Sequence, residues 1–348
     1  MTTESLKPNS SDALTNSIEI RDTIGLTQGQ IIRKRFRQHR AAMISVFTLL
    51  TLLVGVFTAL DWRLFGLNIP GWWRYNHTDI LPLEFENCPG GSVGCPTLDV
   101  IPFLDGDGIG WGLFPFGQDD IGRDYFSLVM RGAQRSIFVM IIIGALAATI
   151  GTIIGAISGY FRGWIDAVLM RVTDFIITVP SIIIGSVVGY HFGNLGVAFL
   201  AFYLGLFAWT GLARLVRGEF LTLREREFVD AARVAGATNT RIIFKHILPN
   251  AIGVIIVSVT LLMAGAILLE SALSYLGFGV LPPDVSLGLL ISTYQESFST
   301  RPWLFWYPGI FIIIIALCVN FIGDGLRDAF DPRQRPGKVF KERKKASK

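Results

Sequence analysis

Six long apolar blocks, near residues 41–60, 136–159, 167–190, 196–214, 251–272 and 304–323, constrain this 348-residue chain more than any other feature. A bilayer's hydrocarbon core is about 30 Å thick and takes roughly 20 apolar residues of α-helix to cross. Within it, every backbone N–H and C=O must find a partner inside the protein. The blocks therefore predict an all-α integral membrane protein with six transmembrane helices. The overall balance agrees, with 51% of residues apolar and only 17% charged, far from a soluble average. No A-x-A-like cleavage site follows the first block, so it reads as a retained anchor and not as a removable signal peptide.

Charge placement orients the blocks. Residues 1–40, 160–171, 214–245 and 327–348 hold 25 of the 31 Lys and Arg, and positively charged loops stay in the cytoplasm. Both termini and the loop 217–249 are thus expected on the cytoplasmic side. The chain divides into a polar leader 1–40, expected to be disordered and without apolar period over its first 30 or so residues, a first helix 41–60, an extracytoplasmic segment 61–135, a five-helix core 136–328 and a basic tail 329–348. Residues 33–40 are a basic cluster suited to anionic lipid headgroups. The net charge of +4 does not imply nucleic acid, because the basic residues flank membrane helices.

The extracytoplasmic segment is too long for a plain connector, and its Trp62, Trp72, Trp73 and Trp111 suit a small core or the membrane interface. Cys88 and Cys95 bracket a turn-rich loop on the side where disulfides persist, so a bridge between them is expected. No further Cys or clustered His completes a zinc set. Asp105-Gly106-Asp107-Gly108 lacks the regular acidic spacing of a calcium loop and reads as a hydrated turn. Asp119 or Asp120 can cap a helix starting at Tyr125.

Ionisable residues at membrane depth are functional candidates by default. Glu270, near the outer end of the fifth block, can face a translocation path or make a structural hydrogen bond. Arg171 and Asp174 stand at i,i+3 and are expected to pair. Pro180 is expected to kink the third block, as in gating segments. Gly151 and Gly155 share one helix face and allow close helix contact, whereas Gly205 and Gly211 fall on different faces. The four His residues are scattered, so no catalytic residue and no metal centre can be assembled. No G-x-x-x-x-G-K-[ST] phosphate loop occurs, so any ATP hydrolysis belongs to a partner.

Between the fourth and fifth blocks lies Asp230-Ala231-Ala232-Arg233-Val234-Ala235-Gly236, followed after nine residues by His246-Ile247-Leu248-Pro249. Residues 225–233 read as a short helix, which Gly236 can end by taking positive φ. Thr238, Asn239 or Thr240 can cap a second helix over 241–246, and Pro249 is expected to break it. The small side chains of Ala231, Ala232 and Ala235 let a partner's backbone come close, with Arg224, Arg226, Arg233 and Arg241 around them. The bland alternative is a solvated loop.

This elbow resembles the EAA signature of permease subunits in bacterial binding-protein-dependent ABC importers, with Asp230 in place of Glu. Gly117, Asp119, Asp120, Gly122, Arg123 and Asp124 resemble the Gly-Thr-Asp-x-x-Gly-Arg-Asp phrase of the group importing dipeptides, oligopeptides and nickel, with Gln118 in place of Thr. Ser274-Tyr275-Leu276-Gly277-Phe278-Gly279 and Gly323-Asp324-Gly325-Leu326-Arg327-Asp328 are similar to later segments of that group, so the resemblance spans about residues 114–333.

The resemblance implies a type I ABC importer permease fold in a bacterial plasma membrane and import of di- or oligopeptides. It implies a second permease subunit, two ATPase subunits that hold ATP and Mg²⁺ and receive the elbow, and an extracytoplasmic solute-binding protein. This chain itself would bind no cofactor. Two rivals remain open on the residues alone: a secondary transporter driven by an ion gradient, and a membrane scaffold.

Overall fold

The computed structural model describes residues 27–64, 67–83, 94–97 and 112–331. Its helices are α1 (Gln28–Gln38), α2 (Arg40–Ala59), α3 (Tyr125–Phe161), α4 (Gly163–Ile177), α5 (Ser181–Phe192), α6 (Val197–Arg224), α7 (Glu227–Val234), α8 (Asn239–Tyr275), α9 (Leu287–Tyr294) and α10 (Trp303–Phe330). A two-stranded antiparallel ribbon, β1 (Trp62–Leu64) with β2 (Leu67–Ile69), follows α2. Cys88, the Asp105–Asp107 turn and Trp111 lie outside the described residues.

Among the described residues, five helices, α2, α3, α6, α8 and α10, are long and apolar enough to cross a membrane. The block at 167–190 is not one helix: α4 and the helical run Ser181–Leu195 meet at a bend of 72°. Pro180 explains the break. It has no N–H to donate and disfavours helical geometry at Val179, and its carbonyl instead accepts from Ile183 and Ile184 at 3.0 and 3.2 Å as α5 begins. The second block also extends further than its apolar run, since α3 starts at Tyr125 and its 37 residues reach about 55 Å.

Helix α3 is the central strut, packed along α6 on one side and α8 on the other, with α10 linking α8 to α2. Glycines bring α3 and α6 together. Gly151, Gly155 and Gly159 recur every fourth residue, and a Cβ at Gly155 would stand 2.5 Å from the Ala213 carbonyl oxygen. The expected Arg171–Asp174 pair does not form. Asp174 pairs with Arg214 instead, and Asp166 takes Arg217 through two bonds of 2.6 and 2.7 Å. Packing of α4 on α6 supplies these cations, and an exposed i,i+3 pair on one helix is too weak to compete.

Two apolar clusters mark the ends of the bundle. One gathers α2, α3, α8, α9 and α10 around Tyr125, Ile267, Leu304 and Ile315, at the end nearest residues 61–83. The other joins the far end of α3 to α6, α7 and the start of α8, through Tyr160, Phe220, Val229 and Ile242. We call these the cap end and the elbow end.

Candidate functional site

At the elbow end, the sequence builds a projecting, braced turn. Glu227 and Asp230 in the first turn of α7 favour its start through the helix dipole. A Schellman closure ends it: Ala237 N–H donates to the Ala232 carbonyl at 3.0 Å, and Gly236 N–H donates to that of Arg233 at 2.9 Å. This closure needs a residue in the left-handed region, and Gly236 supplies φ +77°. Thr238 then caps the next helix through a 3.4 Å bond from Arg241 N–H.

Pro249 does not break the second helix. Residues Ile242–Ile247 widen into a π-helical turn, and the helix continues through Pro249. Wider i→i+5 spacing accommodates the missing N–H, and the Asn250 side chain donates to the His246 carbonyl at 2.7 Å.

The bracing is polar. Tyr160 Oη donates to Asn239 Oδ1 at 2.7 Å, and the Arg224 guanidinium donates to the Tyr160 carbonyl while lying 5.7 Å over its ring. Arg162, at φ +57°, pairs with Glu225 at 2.7 Å. Arg224 thus faces inward and is not part of an exposed basic rim, while Arg233 pairs with Asp230 at 2.9 Å.

Of the residues singled out here, Ala231, Ala235, Gly236 and Asp230 are exposed at the tip. Ala232 and Leu248 pack inward on the Val229–Ile247 cluster, His246 is half-buried, and Pro249 is exposed at the base. Three apolar side chains that motif reading passed over stand out: Val234 is 91% exposed, Phe244 63% and Phe228 39%. The helical wheel held a signal, since Val234 lies about 140° around α7 from the buried Val229. A grouping of exposed apolar side chains on a rigid projection has the character of a protein-binding surface.

At the cap end, the residues 117–124 form a clasp. Asp119 accepts from the N–H groups of Ile121 and Arg123 at 3.1 and 2.7 Å, from Arg123 Nε at 2.6 Å and from Tyr294 Oη at 2.9 Å. Burial and the Asp119 carboxylate push the Tyr294 hydroxyl well above its ordinary pKa. Asp120 pairs with Arg301 at 2.6 Å. The cap of α3 is Asp124, not Asp119 or Asp120: it accepts from Ser127 N–H at 2.8 Å and from Trp73 Nε1 at 2.7 Å. Asp119 is engaged by its own turn and cannot reach the helix N–H groups. Burial raises the Asp124 carboxyl. Gly122 sits at φ +90°, where a Cβ would also stand 2.1 Å from the Leu81 carbonyl oxygen, so only glycine fits, and Gly117 likewise turns at φ +79°.

Glu270 is fully buried. It accepts from Ser136 Oγ at 2.9 Å and Ser274 Oγ at 2.8 Å, and these hydroxyls accept from Leu287 N–H and Val280 N–H at 3.3 and 3.1 Å. The carboxylate thus pins the connection between α8 and α9 to two helices. Cys95 is disulfide-bonded, and Cys318 is free and buried.

Residues 151–336 match the family model described as binding-protein-dependent transport system inner membrane component. The chain is 36% identical to the oligopeptide transport system permease protein OppC of Mycobacterium tuberculosis, over 88% of this chain and 94% of that protein. It is 34% identical to OppC of Haemophilus influenzae, over 93% and 94%. Among solved structures, the inward-facing MetNI methionine ABC transporter is similar over 59% of this chain and 96% of its own, at 18% identity and TM-score 0.49.

Proposed function

Because this chain belongs to the family of binding-protein-dependent transport system inner membrane components, we propose that it is a permease subunit of an ATP-driven importer of di- or oligopeptides. It would form half of a translocation pore with a second permease subunit. Two ATPase subunits would hold ATP and Mg²⁺, and a solute-binding protein would deliver the peptide at the cap end. The peptide reading follows the OppC relatives, which are named oligopeptide transport system permease proteins. The cap end would lie outside the cell and the elbow and both termini inside, as the placement of Lys and Arg favours.

The observation that carries the coupling role is the exposed Val234 on a turn tied to three helices. Motion of an ATPase against Val234, Phe244 and Ala235 would pass to α3 and α6 through Tyr160, Asn239 and Arg224 as a rigid-body displacement. Asp230 would hold Arg233 in place at the rim. The bend at Pro180 would serve as a hinge, and the Glu270 pin would keep α3, α8 and the start of α9 together as it moves.

The test is isolation of the chain from its native membrane in mild detergent, with subunit identification and ATPase assay. Copurification of a second permease and ATPase subunits is expected, with peptide uptake abolished in Gly236→Asp while the variant still inserts. A chain that purifies alone and moves solute on an ion gradient, or a Gly236→Asp variant with full uptake, would overturn the proposal.

A further inference from the structure

We propose that α1 and the first turns of α2 bind an anionic phospholipid of the leaflet at the elbow end, with Arg33, Lys34, Arg37 and Arg40 on its phosphate and one face of α2 along its acyl chains. Helix α1 has two faces. Ile31, Ile32, Arg35, Phe36 and His39 are half-buried, whereas Gln30, Arg33, Lys34, Arg37 and Gln38, at i, i+3, i+4, i+7 and i+8, are exposed and line an open hollow of about 410 Å³. The inward face is latched to the end of α10. Arg35 donates to the Asp331 carbonyl at 2.9 Å, His39 Nε2 lies 3.5 Å from Asp328, and Phe36 closes on Gly325, where an added Cβ would meet its ring at 3.2 Å. On the outward side, Arg33, Lys34, Arg37 and Arg40 form no ion pair among the described residues.

Depth selects the partner. The 20 residues of α2, Arg40–Ala59, reach about 30 Å, which is the thickness of the hydrocarbon core, so Arg40 stands at headgroup level. His39, at φ −81° and ψ 98°, breaks the helix there, and the latch holds α1 against α10. This is the elbow end, since Phe330 of α10 packs on Gly253 near the start of α8. Arg37 is three residues from Arg40, at most about 11 Å away, and Arg33 and Lys34 follow one helical turn beyond, a gap that long side chains close. Along α2 from Arg40, Ile44, Phe47, Thr51 and Val54 recur at i+4, i+7, i+11 and i+14, and all are exposed, Phe47 at 73%. One face thus carries a cation at headgroup depth and a mainly apolar stripe below it, which is the order of groups in a phospholipid.

The charge count calls for an anion. Arg33, Lys34, Arg35, Arg37, Arg40 and Arg327 stand with three acids at the end of α10, Asp324, Asp328 and Asp331, which leaves +3, and α1 and α2 contain no Asp or Glu. The bond from Arg35 to Asp331 also roots the last 17 residues beside α1, and these carry 8 Lys and Arg against one Glu. Residues 1–26 bring two cations and four acids, so the balance stays positive. A leaflet of anionic headgroups is the complementary surface that lies at this depth, and basic residues beside a span are drawn to it.

The full-length protein, with the subunits that copurify, is placed in phosphatidylcholine nanodiscs with and without phosphatidylglycerol, and the phosphatidylglycerol it retains is counted by native mass spectrometry. R33Q/K34Q/R37Q/R40Q should retain about tenfold less of it, and R33K/R37K/R40K should retain it in full. In the unaltered protein, phosphatidylglycerol with a photoactivatable acyl chain should label Ile44 or Phe47. Gln is as good a helix former as Lys or Arg, so the Gln variant should melt as the unaltered protein does in lipid-free detergent; the labelling decides the matter should it misfold. Equal retention by the Gln variant, or labelling confined to other helices, would overturn the site. Full loss in the Lys variant would assign the arginines a structural role and refute it. Weaker capture of ATPase subunits by the Gln variant at unchanged lipid retention would give the patch to an acidic protein partner, and displacement by glycerol phosphate as effective as by phosphatidylglycerol would reduce it to a free-phosphate site; either result refutes the lipid.

Discussion

At the scale of single residues, the cap end depends on carboxylates that are already spent on the fold. Asp119 collects four donors from its own turn and from α9. Asp119→Ala would strand a partly buried guanidinium and the Tyr294 hydroxyl, and should cost about 2–3 kcal/mol of stability. Thermal unfolding of the detergent-purified protein reads this, and an unchanged midpoint would contradict it. His77 gives a pH signature of definite sign. Its folded-state pKa, about 4, lies below the ordinary 6.5, so the unfolded cap binds a proton that the folded cap refuses between those values. Stability contributed by the neutral ring is present above pH 6.5 and is lost as the pH falls toward 4. Hydrogen exchange at the cap should therefore quicken across that interval, and His77→Gln should flatten the dependence.

At the scale of elements, glycine spacing sets how closely α3 and α6 approach. Gly155→Leu would drive a side chain into the Ala213 carbonyl and the Val216 Cβ, and should cost about 3 kcal/mol through overpacking. Gly211→Ala, with nothing within 4 Å of its added Cβ, is the matched control and should be neutral or slightly stabilising. Comparing expression and melting of the two variants checks the packing. The elbow obeys different rules. Its conformation is fixed by the Schellman closure at Gly236, and its orientation is fixed by Tyr160 and Arg224, which belong to other segments. Tyr160→Phe, which loses only the 2.7 Å bond to Asn239, should lower coupling between ATP hydrolysis and uptake without loss of assembly.

At the scale of the whole molecule, exposed apolar side chains stand both on the candidate spans and on the elbow. Val234 stands on a polar elbow, outside any of the candidate spans. Val234→Glu should weaken capture of the ATPase subunits about tenfold or more, as expected for a residue near the centre of an interface. Size-exclusion profiles with and without added ATPase subunits would show it, and full capture by the variant would count against the elbow as the docking surface.

The sequence by itself determined that this chain is a helical membrane protein of the permease family. The alanine–glycine elbow and the Gly-Arg-Asp phrase placed the chain in its family by resemblance, whereas hydropathy blocks and helix stops are local patterns that follow from backbone hydrogen bonding and side-chain volume. The helix stop at Gly236, a cap among Thr238, Asn239 and Thr240, and the close-contact face at Gly151 and Gly155 were legible for that reason. What only the tertiary structure decided depends on partners distant along the chain. Asp174 takes Arg214 over the nearby Arg171, Asp124 rather than Asp119 or Asp120 caps α3, and a π turn lets the helix run through Pro249. Each choice balances a weak local interaction against a stronger one offered by another helix, and spacing along the sequence holds no record of which helix arrives.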